Sequence, residues 1–266
     1  MVRTTVIGLV GCAVFTISGT GHADEISMSF QTPGVYGSEI HYSYDPTGTH
    51  SNPVFSGNTT AGRFDWTVMS EGPVDFGGHV FNNGDQFSTF CAELTGFMTP
   101  GETYTYGSIA VADMPANGDS TAMGAFRAGL LQELFDNRFQ QAISGSTTDA
   151  AAFQVAVWEI TYEDRLVELG SGGGPPLSEL LVADADTFII SEDSAVVDLA
   201  NAWLAELHGG LLANSLMGFD GVGESLSGPS QLGMPMVPLP APLWLAGMGL
   251  VAVVFGRKKL RGLAGA

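Results

Sequence analysis

Charge is segregated along this 266-residue chain more sharply than any other property. All 28 acidic residues lie between Asp24 and Glu224, and the only basic residues inside that stretch are Arg63, Arg127, Arg138 and Arg165. Arg3 precedes it; Arg257, Lys258, Lys259 and Arg261 follow it. The two ends therefore obey different physics from the body. The acidic body offers no basic surface to displace phosphate counterions, so no nucleic-acid partner is expected. An apolar content of 45% belongs to a folded protein rather than a disordered one. The length is enough for one domain, or two small ones, with a real core.

The N-terminal end has the pattern of a secretory signal. Arg3 supplies the positive region, Thr4 to Ile17 is uncharged and mostly apolar, and Gly21-His22-Ala23 puts small residues at the −3 and −1 positions. This predicts a cleavable signal peptide over 1–23. Leu9-Val10-Gly11-Cys12 has the residue types of a lipoprotein box, but the apolar run continues past Cys12 through Ala13-Val14-Phe15. Cleavage before Asp24 is the simpler expectation.

The C-terminal end carries no charge from Ser225 to Gly256. Val237, Pro238, Leu239, Pro240 and Ala241 lead into an apolar run from Pro242 to Phe255, followed by the basic cluster 257–261. As a helix the run spans about 20 Å, against a bilayer core of about 30 Å. The basic cluster stays cytoplasmic by the positive-inside rule, which places the body outside. A Pro-containing motif, a short apolar helix and a terminal Arg/Lys cluster, in that order, resemble a PEP-CTERM sorting signal in its Val-Pro-Leu-Pro-Ala variant. The resemblance covers 237–266. It implies transient anchoring in the inner membrane by this helix and recognition by an exosortase, a membrane transpeptidase that removes the tail. It also implies a Gram-negative, exopolysaccharide-producing bacterium, with the mature protein at the cell surface or in the extracellular, biofilm-associated matrix. The competing reading is a plain membrane anchor.

Between the two ends, residues 24–220 are predicted to be α+β, a β-barrel or sandwich portion with a packed helical portion. Ile26, Met28 and Phe30 alternate with serines; Phe64, Trp66 and Val68 alternate with Asp65 and Thr67; Tyr104 and Tyr106 flank Thr105. Dense Gly, Pro and Asn punctuation separates these runs. The period then changes. Met123, Phe126, Leu130, Leu131, Leu134 and Phe135 predict a helix within 121–143. Thr148 and Asp149 can cap a second helix from Ala150 to about Tyr162. Ser191 or Asp193 can cap a third, through about Leu207, ended by Gly209-Gly210. A last strand is expected within 211–219, and 221–236 reads as a Gly/Ser/Pro linker.

Once the signal peptide is gone, Cys91 is the one cysteine left. Exported chains usually pair their cysteines, so a single one needs an account. It can be an inert buried thiol, half of an intermolecular disulfide, or a thiol consumed in another bond. Sixty-three residues on, the predicted second helix carries Gln154 on a face with Val157, Trp158 and Thr161. A glutamine on an apolar face is costly unless its amide is satisfied. An unpaired cysteine and a buried glutamine are the ingredients of an internal thioester.

Phe90-Cys91-Ala92 on a strand and Gln154-Val155-Ala156-Val157-Trp158 on a later helix resemble the paired motifs of the bacterial thioester domains of surface adhesins. Residue 153 is Phe where many members have Thr. The resemblance spans about residues 80 to 165. It implies that Cys91 and Gln154 are the bond partners, in a protein that adheres covalently to amine-bearing targets. Such capture happens once per molecule, so no enzymatic turnover and no cofactor are expected. Phe90 and Trp158 are candidate shields of the bond from water, with ordinary core packing as the alternative. The absence of Lys between residues 24 and 256 suits a protein that must not acylate itself.

Other constellations are weaker. His41, His50, His79 and His208 lack metal-ligand spacing, and no metal site is expected. Asp184, Asp186, Glu192, Asp193 and Asp198 lack a calcium-loop pattern. Glu159 is expected to be an exposed helix residue. No Gly-x-Ser-x-Gly elbow supports a serine hydrolase. The competing function class is a structural or carbohydrate-associated matrix protein without a reactive bond.

Overall fold

In the first strand, β1 (Glu25–Phe30), Ile26, Met28 and Phe30 are fully buried while Ser27 and Ser29 are half-buried. This period-2 alternation repeats through the N-terminal half and selects one face for a core. The computed structural model describes residues 25–44, 55–94, 96–116, 121–162, 188–190, 194–209, 215–222 and 228–234. The predicted signal peptide, the motif at 237–241, the apolar run from Pro242, His50 and most of the acidic run at 184–193 lie outside them.

Among the described residues the chain forms β2 (Tyr36–Tyr44), β3 (Phe55–Val68), β4 (Val74–Phe76), β5 (His79–Phe81), β6 (Gln86–Cys91) and β7 (Thr103–Ile109). After these come β8 (Pro115–Ala116), β9 (Thr121–Ala122), and the helices α1 (Gly124–Ser144) and α2 (Thr147–Tyr162). Strand β10 (Phe188–Ile190), helix α3 (Ser194–Leu204), β11 (Met217–Gly221) and β12 (Gln231–Gly233) complete them. The fold is α+β, as expected.

The main sheet runs β1-β7-β11-β12-β6-β3, and β3 pairs back to β1, closing a six-stranded antiparallel barrel. Closure leaves these strands without a free edge. Inside lie Ile26, Met28, Phe30, Trp66, Val68, Phe87, Tyr104, Tyr106 and Phe219. The first half of β3 leaves the barrel and pairs with β2, which pairs with β10. The departure occurs at Gly62, where a Cβ would stand 2.3 Å from the Tyr36 carbonyl oxygen. Only a residue without a side chain allows β2 and β3 to approach so closely.

The second core lies on the other side of β6, between the β2–β3 ribbon and the helices. It gathers Phe90, Phe135, Phe139, Phe153, Trp158, Trp203 and Leu232. Helix α2 is its axis: every residue from Ala150 to Tyr162 is buried. A helix apolar nearly all round belongs inside. Its start is a capping box. Ser146 Oγ accepts from Asp149 N–H (3.2 Å), and the Asp149 carboxylate accepts from Ser146 N–H (2.8 Å).

Several sequence expectations shift here. The cap of α2 is Ser146, with Asp149 as its reciprocal partner. Glu159, expected to be exposed, has no exposed surface, because α2 has no solvent face. The stretch 221–236, expected to be a linker, contains β12, a fully buried barrel strand. Low charge and small residues at 228–234 go with burial. The strand expected within 211–219 is β11, beginning at Met217, and β12 follows it.

Candidate functional site

Pairing between β3 and β6 runs from Thr67↔Gln86 to Phe64↔Thr89. Continuing that register would set Gly62 opposite Cys91, but Gly62 is where β3 turns away to β2. The Cys91 main-chain N–H and C=O thus lose their strand partner on that side, and buried main-chain groups cannot stay unpaired cheaply. Gln154 of α2 supplies both bonds. Its Oε1 accepts from Cys91 N–H at 2.9 Å and its Nε2 donates to Cys91 O at 2.8 Å. The side-chain amide replaces one residue of β-ladder. Eight residues along the same helix, the Tyr162 hydroxyl accepts from Leu94 N–H at 2.8 Å. Helix α2 thereby fixes the chain at the cysteine and again three residues beyond it.

The structure therefore brings Cys91 and Gln154 together, and Gln154 has no exposed surface. Their preceding residues also meet: the Phe90 and Phe153 rings stand 4.4 Å apart. Phe90 points into the helical core, whereas the Cys91 side chain belongs to the barrel core. Phe90 thus backs the site from the face opposite the thiol, and Trp158 lies in the same helical core. On the thiol's own face stands Tyr106, whose hydroxyl is pushed up from its ordinary range by burial first and by the nearness of Cys91 second.

The Cys91 thiol donates to the Glu93 carbonyl oxygen at 2.9 Å. Burial pushes it up to about 12, against the pull of that hydrogen bond. At neutral pH the group is a thiol, not a thiolate, and only the thiolate is a strong nucleophile. The same burial suits an uncharged acyl thioester. The Glu93 carboxylate is turned away to Ser230, accepting from its N–H (2.9 Å) and Oγ (2.7 Å).

Among the histidines, His41 pairs with Asn58 and His79 lies against Phe81. Neither contact involves Cys91 or Gln154. His208 serves α1: Glu133 accepts from the His208 and Gly209 N–H groups at 3.0 to 3.1 Å. Among the described residues no group of three or more His, Cys, Asp or Glu is placed to hold a metal ion. No helix among them is long and apolar enough to cross a membrane.

Sequence reasoning singled out Cys91 and Gln154, which meet through the Cys91 main chain, but missed Tyr162 and the residues of β12. Tyr162 carried a signal, being two helical turns from Gln154 with a polar tip on an otherwise apolar helix. Residues 228–234 carried none that separates a three-residue buried strand from a linker.

No protein-family model matches the chain, and no curated protein matches it. Among solved structures it is similar to the N-terminal domain of the Streptococcus pyogenes pilus tip adhesin Cpa, at 12% identity. That alignment covers 78% of this chain and 98% of the other, with a TM-score of 0.35.

Proposed function

We propose that this is an exported surface protein that attaches covalently to amine-bearing targets through a thioester between Cys91 and Gln154. One observation carries the proposal: the lone cysteine of the mature chain and a fully buried glutamine are held together by two hydrogen bonds. In forming the bond, Cys91 Sγ adds to the Gln154 amide carbon, the C–N bond breaks, and ammonia leaves with the thiol proton. The Cys91 N–H sits 2.9 Å from the oxygen that gains charge during the addition, the distance at which a main-chain donor stabilises an oxyanion. The Cys91 carbonyl holds the nitrogen that departs. An arriving amine then takes the acyl group and frees the thiol. The reaction consumes the protein once, so it is capture rather than turnover. The termini support export, exosortase sorting through 237–266, and residence at the surface or in the matrix of a Gram-negative bacterium.

The second reading is a structural or carbohydrate-associated matrix protein whose Cys91 is an inert core thiol. The thiol's satisfied bond to Glu93 O favours it. Intact mass separates the two. A thioester leaves the mature chain one ammonia lighter, and methylamine adds to Gln154 while exposing an alkylatable Cys91. Cys91→Ala should abolish both signals. A chain of unmodified mass that takes up no methylamine overturns the proposal.

A further inference from the structure

The strand that sequence composition assigns to a linker places a second glutamine beside the sulfur. Gln231 of β12 is the register partner of Cys91 on β6. Ala92 N–H donates to Ser230 O at 2.8 Å, so the ladder bonds flank the Cys91–Gln231 pair instead of joining it. Such a non-hydrogen-bonded antiparallel pair brings its side chains closest, with Cβ atoms about 4.5–5.5 Å apart. Directly opposed residues share a face, and the Cys91 face is the barrel interior. Gln231 has no exposed surface.

Its amide is oriented from behind. Oε1 accepts from Thr89 Oγ1 at 2.9 Å, and that hydroxyl accepts from Trp66 Nε1 at 2.7 Å. Nε2 donates one hydrogen to Pro229 O at 3.2 Å. A primary amide nitrogen has a second hydrogen, and the register pairing sets Gln231 opposite Cys91 on the barrel side, where it pulls the thiol pKa down against the push of burial. Gln154 thus holds the Cys91 main chain, while Gln231 stands across the ladder from it on the face of its side chain.

We propose that Gln231 is the hydrogen-bond donor to the leaving sulfur when an amine opens the thioester. The inference rests on the thioester reading. The attacking nitrogen forms a bond to the Gln154 acyl carbon, the C–S bond breaks with its electron pair on Cys91 Sγ, and the proton shed by nitrogen ends on that sulfur. The products are an amide and a thiol, and no other reactant is needed. Gln231 N–H meets the charge as it develops on sulfur inside a mostly apolar barrel, where a donor counts for more than in water. Glu93, Tyr106 and Tyr162 are the titratable groups that feel Cys91, and all three are kept in the variants below.

The test compares the full chain with Gln231→Met, which keeps length and apolar bulk but removes the donor. The first readout is the rate of methylamine incorporation at Gln154, located by peptide mapping. It is expected to fall about tenfold or more, the scale of one lost hydrogen bond to a charged group. The second is the pH midpoint of Cys91 alkylation by a small uncharged reagent after exhaustive methylamine treatment. That midpoint should move to higher pH by about one unit, a shift that lost packing alone does not produce. If Gln231→Met does not fold, Thr89→Val, which frees Gln231 Oε1, should move both readouts the same way by less. Unchanged rate and unchanged midpoint in a folded variant overturn the inference. Methylamine found on Gln231 also overturns it, because Gln231 would then be the acyl partner. A wild-type chain of unmodified mass without adduct overturns the thioester reading instead, and this inference with it.

Discussion

Strand β6 is shared by two cores that were built by different rules. Phe87 and Cys91 face the barrel; Phe90 faces the helices. The barrel core is made by strict alternation and closed by hydrogen bonds between neighbouring strands. The helical core is made by a helix buried on every side, whose own side chains Gln154 and Glu159 are buried polar groups, whereas the barrel's, Thr89 and Gln231, come from its strands. The difference teaches where the chemistry can sit. A barrel satisfies its own main chain, so a helix side chain can reach a strand's main-chain groups only where the ladder fails. Here it fails at Cys91.

Breaking the helical side should cost the most. Phe90→Ala removes a ring packed on Phe135, Phe139 and Phe153 and should lower stability by about 3–5 kcal/mol in urea unfolding. A loss under about 1 kcal/mol would mean that the two cores are less distinct than described. Gln154→Leu keeps the bulk but leaves two buried main-chain groups unpaired. It should cost about 2–4 kcal/mol and eliminate methylamine uptake, whereas a variant with full stability would show that the amide pair is dispensable.

Smaller effects sharpen the contrast through pH. Although burial pushes Glu133 up, the His208 and Gly209 hydrogen bonds outweigh it and hold its carboxyl below the ordinary range. A carboxyl lowered in the folded state adds stability that is present above its ordinary value and lost as pH falls through the lowered one. Glu133→Gln should therefore flatten the acid limb of the stability curve and cost about 1–2 kcal/mol near neutral pH. An unchanged acid limb would contradict this. The Cys91 thiol has the opposite sign. Raised to about 12, its contribution is full below the ordinary thiol range and fades as pH rises toward that value. Once methylamine has freed the thiol, alkaline unfolding should begin at lower pH than in Cys91→Ala. The smallest effect belongs to the partly exposed Arg138–Glu206 pair. Arg138→Ala should change the melting midpoint by no more than about 0.5 kcal/mol allows.

The barrel was legible because alternation is a local property. Ile26, Met28, Phe30, Phe64, Trp66 and Val68 could be assigned to one face from spacing alone, and all are buried. The cysteine and glutamine were legible for a chemical reason, since each was anomalous where it stood. Glu159 was not, because a single charge in a helix reads as solvent-facing unless the whole helix is known to be enclosed. Gln231 was not, because a three-residue strand takes its identity from its neighbours, and the one that brings it to Cys91, β6, lies far upstream, with Thr89 142 residues away. Long-range pairing leaves no periodic trace at either partner.

β12 is also the last described strand before the C-terminal segment, and it lies between β11 and β6. A pull on the chain beyond residue 234 loads β12 along its length, against ladders on both sides at once. Any tension applied there enters the protein one strand from the sulfur, where shear across several hydrogen bonds resists it rather than the unzipping of one bond at a time.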